Sequence, residues 1–340
     1  GDAMASMLLG WVNRGQVSTN NFISSEKLAW AFYAQDDWKV TRKLTLNLGL
    51  RYELFSPISE KWARQSNFVY DNLTLYIPKG KDQDAPLPVN FPTAFPNVKV
   101  SRGEVDKYLI PWDKWDFGPR IGLAYNWRDK TVARLGYGIF YGGEENQGGN
   151  PNRGESVPFN QSTVLPHAGQ LGNVGDFEQN PYFPGGMSGG FPSNVFNLPA
   201  PIAFRGVATN FRNGLVHKWN VAIQHELPWQ SALELAYVGN HQAKQLFQPD
   251  WNACPNMGTT DSSINCNRLR PTPYIGSISG TASFGYGNYH GLTAKFDKRY
   301  SNGLQLLMSY TYGHALANTG TTLSGSGGFG IPNPRDYGSG

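Results

Sequence analysis

Residues 42–55, RKLTLNLGLRYELF, place Leu44, Leu46, Leu48, Leu50, Tyr52 and Leu54 on even positions, with Lys43, Thr45, Asn47, Gly49, Arg51 and Glu53 between them. A period of two over this length makes an extended strand with one apolar side and one polar side. Strands of soluble domains are commonly half as long. This segment therefore needs surroundings that are apolar along one face of a long strand and wet along the other.

The same alternation returns seven more times. AWAFYAQDDWK aligns Trp30, Phe32, Ala34 and Trp38, and RIGLAYNW aligns Ile121, Leu123, Tyr125 and Trp127. TVARLGYGIFY sets Ala133, Leu135, Tyr137, Ile139 and Tyr141 against Arg134, Gly136 and Gly138. KWNVAIQHEL and ALELAYVGN repeat the rule with Trp219, Val221, Ile223 and with Leu233, Leu235, Tyr237. GLTAKFDKRY and GLQLLMSYTY close the series through Leu292, Ala294, Phe296 and through Leu304, Leu306, Met308, Tyr310, Tyr312.

The eight segments fall into four pairs with short links: Lys39–Arg42, Arg128–Lys130, Pro228–Ser231 and Ser301–Gly303. Such links are hairpin turns. Between pairs the connections are long, at 56–116, 143–215 and 241–288. They occur only at alternate connections, so all of them lie at one end of the sheet. Short turns at one end and long loops at the other, joined to strands long enough to cross a hydrocarbon layer at a tilt, predict an all-β fold. That fold is a transmembrane antiparallel β-barrel with short periplasmic turns and long extracellular loops. Trp38, Tyr52, Trp127, Tyr141, Trp219 and Tyr312 suit its interfacial girdles. Asp36 shares parity with Trp30, Phe32 and Trp38; either it sits at headgroup level or a bulge shifts the local register.

Composition agrees. The 340 residues are 14% aromatic and 16% charged, with 40 glycines and 23 prolines, which fits a loop-rich β protein and not a disordered one. A net charge of +4 with singly scattered lysines and arginines argues against nucleic acid as a partner. No stretch reaches the roughly 18 apolar residues of a membrane helix. The opening GDAMASMLLG and the closing GGFGIPNPRDYGSG lead to the expectation that the chain, residues 1–340, is part of one longer barrel domain, without plug or signal peptide.

YAQDDWKVTRKLTLNLGLRYELF (Tyr33 to Phe55) resembles a stretch of TonB-dependent outer-membrane receptors, in particular their Oar-like subgroup. WDFGPRIGLAYNWRDKTVARLGYGIFYGG (Trp115 to Gly143) is similar to the next hairpin of that subgroup, and GDAMASMLLG and YVGNHQAKQL (Tyr237 to Leu246) are similar to further segments. The resemblance implies a bacterial outer-membrane location and a barrel of about 22 strands around a plug, of which this chain would hold about 8–10. It also implies outer-membrane lipid and an inner-membrane energising complex (TonB–ExbB–ExbD) as partners, the latter acting through the plug. The ligand is an unknown solute or peptide.

Chemical motifs fail on context. GMSGG (Gly186 to Gly190) matches a nucleophile elbow but lies in a Gly- and Pro-rich loop with no strand before it or helix after it. His167, His217, His225, His241, His290 and His314 have no metal-ligand spacing. Glu144, Glu145 and Asn146 lack the spacing of a calcium loop. No catalytic, cofactor-binding or metal residue is assigned, no cofactor is expected, and the chain does not read as an enzyme. Cys254 and Cys266 stand in one loop with eleven residues between them; a loop disulfide contributing roughly 2–3 kcal/mol and a pair of free thiols are both open.

Gly136 and Gly138 on the face of Arg134 would leave room for inward side chains. The aromatic- and proline-rich loops either contact ligand at the barrel mouth or shield it. Three functions follow: an energised receptor and transporter, an outer-membrane structural or adhesive barrel (or passive pore) displaying its loops, and a soluble carbohydrate-binding β protein.

Overall fold

The computed structural model describes residues 15–18, 22–88, 90–142, 156–160, 162–165, 203–253, 266–301 and 303–318. The eight alternating segments form eight long strands: β1 (Ala29–Lys39), β2 (Leu44–Phe55), β3 (Asp116–Arg128), β4 (Thr131–Gly142), β5 (Gly214–Leu227), β6 (Ser231–Phe247), β7 (Ile278–Ser301) and β8 (Leu304–Ala317). Each pairs antiparallel with its sequence neighbours in one meander. A short strand, Phe204–Val207, adds parallel to the start of β7. Among the described residues the sheet is open, with β1 at one edge and β8 and the short strand along the other. Among the described residues no helix is long and apolar enough to cross a membrane.

The four short turns all lie at one end. Thr41 closes the first, its hydroxyl accepting from the amides of Lys43 and Leu44 at 3.1 and 3.0 Å. Trp229 and Gln230 take left-handed backbone (φ 61° and 58°) in the third, where the Lys298 ammonium donates to the Trp229 carbonyl at 3.0 Å. Gly303, at φ 79°, supplies the fourth at no steric cost.

Strand tilt is visible in the register. The row of cross-strand partners containing Trp38 and Leu46, beside the β1–β2 turn, runs through Leu123, Leu135, Val221 and Tyr237 to Leu292 and Tyr312. At that end it stands nine residues from Ser301 and eight from Leu304. Rows run perpendicular to strands, so this drift means strands inclined to the membrane normal, the geometry of a barrel wall.

The two faces differ as the sequence requires. One carries Trp30, Phe32, Trp38, Leu48, Leu50, Ile121, Leu135, Val221, Ile223, Leu235, Leu292, Met308 and Tyr310, all solvent-accessible in the isolated wall. A continuous apolar surface of this extent needs lipid against it. Asp36 is on this face, and the β1–β2 register has no shift, so no bulge reorients it. It lies three residues from Lys39, the last residue of β1, near the periplasmic end of the strand.

One expectation needs correction. The third long connection does not span 241–288, because β6 continues to Phe247 and β7 begins at Ile278. A bulge around Lys244 (φ 53°) lets the pairing continue past an irregular point that breaks the alternation in sequence. Parts of the long connections condense into an extracellular cap. Its core contains Phe68, Leu75, Phe91, Phe95, Val157, Phe204, Ile275 and Ile278. Phe68 stacks on Phe204 with centroids 4.5 Å apart. Strands Asn67–Val69, Thr74–Ile77 and Lys99–Arg102 form a small mixed sheet within it.

Buried polar groups join its segments. The Asn67 side-chain amide donates to the Val207 carbonyl at 3.0 Å and its oxygen accepts from the Val207 amide at 2.6 Å. The Asn252 side chain donates to the carbonyls of Thr272, Ile275 and Gly276. The buried Glu60 carboxylate accepts from the amides of Ser24, Trp62 and Arg64.

Candidate functional site

The second face of the wall is polar and rich in glycine. One inward row runs Gln35, Gly49, Arg120, Gly138, Lys218, Asn240 and Tyr289; the row on its periplasmic side runs Asp37, Asn47, Gly122, Gly136, Asn220, Val238 and Gly291. Residues of these rows line a trough of about 560 Å³. The missing Cβ atoms let longer neighbours lie flat against the sheet. The Phe140 ring covers Gly138, and the Tyr289 hydroxyl end covers Gly291 and Gly313.

Phe140 organises the charge of the trough. The Arg120 guanidinium is 4.7 Å and the Lys218 ammonium 5.3 Å from its ring centroid. Two cations share one aromatic, and among the described residues neither forms an ion pair. Toward the periplasmic end a second trough, about 340 Å³, mixes signs through Glu226, Glu234, Lys295, Asp297 and Arg299. The lumenal wall thus offers a cationic, aromatic zone above one of mixed sign. This is binding chemistry: fixed donors and a cation pair for an anionic or hydrogen-bonding group. Among the described residues no cluster of His, Cys, Asp and Glu is arranged to hold a metal.

Inward side chains at the strand tops anchor the cap. Arg51 pairs with Glu53 within β2 itself, at 3.0 Å. Asp113 accepts from the Arg212 guanidinium at 2.9 Å and from the Asn213 amide at 3.1 Å. The Asn213 side chain donates to Asp116 at 2.6 Å. Asp116 begins β3, twelve residues from its periplasmic end at Arg128, beyond the roughly 10 that cross the hydrocarbon. Burial there pushes its carboxyl up to about 6, the nearby Asp113 and Glu53 carboxylates adding to the effect.

The residues singled out from sequence are placed unevenly. Arg134, Gly136 and Gly138 do share the lumenal face, with the Arg134 guanidinium donating to Gln224 at 3.2 Å. Gly186–Gly190, Glu144, Glu145, Asn146 and His167 lie outside the described residues. So does Cys254, and with it the question of a disulfide to Cys266. Arg120, Phe140 and Lys218 were not singled out. Their signal is visible only in part, because two cations on lumenal parity mark a face and not a shared neighbour.

A tilted antiparallel wall, apolar outside and polar within, with short turns below and a folded cap above, defines a transmembrane β-barrel wall. The family model described as the outer membrane β-barrel domain matches residues 1–339, and the chain belongs to that family, placing it in the bacterial outer membrane. Solved structures with a similar strand arrangement include the pyoverdine receptor FpvA from Pseudomonas aeruginosa PAO1, 12% identical over 89% of this chain and 27% of that one, with a TM-score of 0.39. The alcaligin receptor FauA from Bordetella pertussis is 10% identical over 86% and 31%, with a TM-score of 0.37. The ferric-catecholate import receptor Fiu from E. coli K12 is 11% identical over 88% and 29%, with a TM-score of 0.38. The chain therefore spans about a quarter to a third of the length of these receptors. No curated protein matches it.

Proposed function

We propose that this chain is part of the barrel wall of an outer-membrane receptor that imports a scarce solute, in the manner of TonB-dependent receptors. The observation that carries the reading is the cap. Residues from separate long connections bury a shared aromatic core and are tied to inward-facing side chains at the strand tops. A receptor needs a preformed surface at the mouth, and a packed cap supplies one. The resemblance of Tyr33–Phe55 and Trp115–Gly143 to the Oar-like subgroup supports the same reading.

In this account the wall performs no covalent chemistry. Its polar face holds and releases solute or plug side chains, and energy enters from the inner membrane. The test uses the whole protein in its own outer membrane. Affinity capture should recover the inner-membrane energising complex, and solute accumulation should collapse when the proton gradient is discharged. Uptake independent of the gradient would favour a passive pore. Neither uptake nor capture would favour a display or adhesive barrel.

A further inference from the structure

All five histidines among the described residues face lipid: His217, His225, His241, His290 and His314 share strand parity with outward residues such as Trp219, Val221, Leu235, Leu292 and Tyr312. A polar lumen is the easier place for imidazole, so this one-sided placement asks for a cause. Four of the five stand at nearly one height. His217 is ten residues from Leu227, His241 ten from Ser231, His290 eleven from Ser301, and His314 ten from Leu304, counting to each strand's periplasmic end. Ten residues at about 3.4 Å each, tilted about 45°, rise roughly 24 Å, which matches the apolar band of about 25 Å. The four imidazoles therefore form a belt across β5–β8 where the outer leaflet's tails give way to headgroups.

The belt is organised. His217 Nδ1 meets the Tyr137 hydroxyl at 2.8 Å, His290 Nδ1 the Tyr237 hydroxyl at 2.7 Å, and His241 Nδ1 the Asn288 side-chain oxygen at 2.7 Å. The His217 and His241 rings are 6.0 Å apart. With Nδ1 engaged in these three, Nε2 is the nitrogen left for the bilayer. A tyrosine hydroxyl can donate to a neutral imidazole and accept from a protonated one, so protonation does not break the contacts of His217 and His290.

The electrostatics point one way. Tyr137, Ile139 and Tyr141 of β4 flank His217; His241 and Asn288 continue its row, and Trp219 and Tyr237 border His290, which faces His314. The outward rows of β2–β8 hold no carboxylate. Asp36 is on β1, near its periplasmic end. Protonated imidazoles here gain no anionic partner from the described residues of the wall.

We infer that the His217–His241–His290–His314 belt is a docking surface for phosphate-bearing headgroups of outer-leaflet lipid, with Nε2–H donating to phosphate oxygen. The grip tightens as the imidazoles take up protons.

The test measures annular lipid selectivity of the full-length protein in bilayers, by electron spin resonance of spin-labelled phosphatidic acid against spin-labelled phosphatidylcholine. Between about pH 7.5 and about pH 5.5, the preference for phosphatidic acid should rise roughly fivefold, as expected of about one added cation at a lipid surface. The His217→Gln, His241→Gln, His290→Gln, His314→Gln variant should lose that rise while keeping heat-dependent gel mobility. His241→Lys with His290→Lys should hold the preference high at both pH values. A flat profile in the unmodified protein, an undiminished rise in the glutamine variant, or no gain with lysine would each overturn the inference. If the glutamine variant does not fold, the lysine variant decides alone.

Discussion

The barrel wall and the extracellular cap use aromatic and aliphatic side chains in opposite directions. The wall turns Leu48, Ile121, Leu235 and Leu292 outward and leaves glycines and polar groups inside; the cap turns Phe68, Phe95, Phe204 and Ile278 inward. The wall thus takes lipid as its apolar phase, while the cap, standing in water, builds its own. Their polar groups differ accordingly. Arg120 and Lys218 of the wall lean on the Phe140 ring and form no ion pair among the described residues, whereas Asn67, Glu60 and Asn252 of the cap are buried and spent on backbone partners. A wall of this kind is a scaffold; the cap is the part whose shape is set by close packing.

Substitutions should separate the two regions. The largest effect is expected from Phe204→Ala, which removes the ring contacting Phe68, Phe91 and Phe95. It should destabilise the cap by about 3–5 kcal/mol. Limited proteolysis and hydrogen exchange should report cap opening, with heat-dependent gel mobility of the barrel unchanged; joint loss of both would mean one cooperative unit. Leu235→Arg, four residues above the start of β6 on the lipid face, is the converse case. It should cost the wall about 2–4 kcal/mol in a denaturant titration in lipid, with cap exchange unaffected by local contact.

Asp116 sharpens the boundary through pH. Its carboxyl, raised from 3.8 to about 6 by burial, is more easily protonated in the folded cap than in the unfolded chain. Its contribution to stability is therefore fully present below pH 3.8 and declines as pH rises through about 6, by roughly 3 kcal/mol in all. Cap-opening free energies from hydrogen exchange should fall over that window, and Asp116→Asn should flatten the profile relative to the unmodified protein. An identical decline in the variant would assign it to other carboxylates. The smallest effect is expected at Arg51, whose pairing with Glu53 is partly solvated. Arg51→Gln should cost no more than about 1 kcal/mol, with no change in cap exchange.

Much of the wall was legible in the sequence because lipid and lumen impose a period of two on each strand by itself. Residues such as Leu46 and Asn47, or Leu135 and Gly136, declare their faces without reference to any partner. The short turns were legible for the same local reason. The cap was not, since Phe68, Val157, Phe204 and Ile278 come from segments with no shared period. The Asn67–Val207 contact joins positions 140 apart. The extensions of β6 and β7 were hidden by the bulge at Lys244, where alternation fails although pairing resumes.

What the sequence by itself determined is which side of each strand meets lipid, because burial in an apolar solvent acts residue by residue. The tertiary structure alone decided which residues stand side by side. Arg120 and Lys218 meet over Phe140, and four histidines reach one height, because hydrogen-bond register and strand tilt set positions between strands that no single strand's pattern contains.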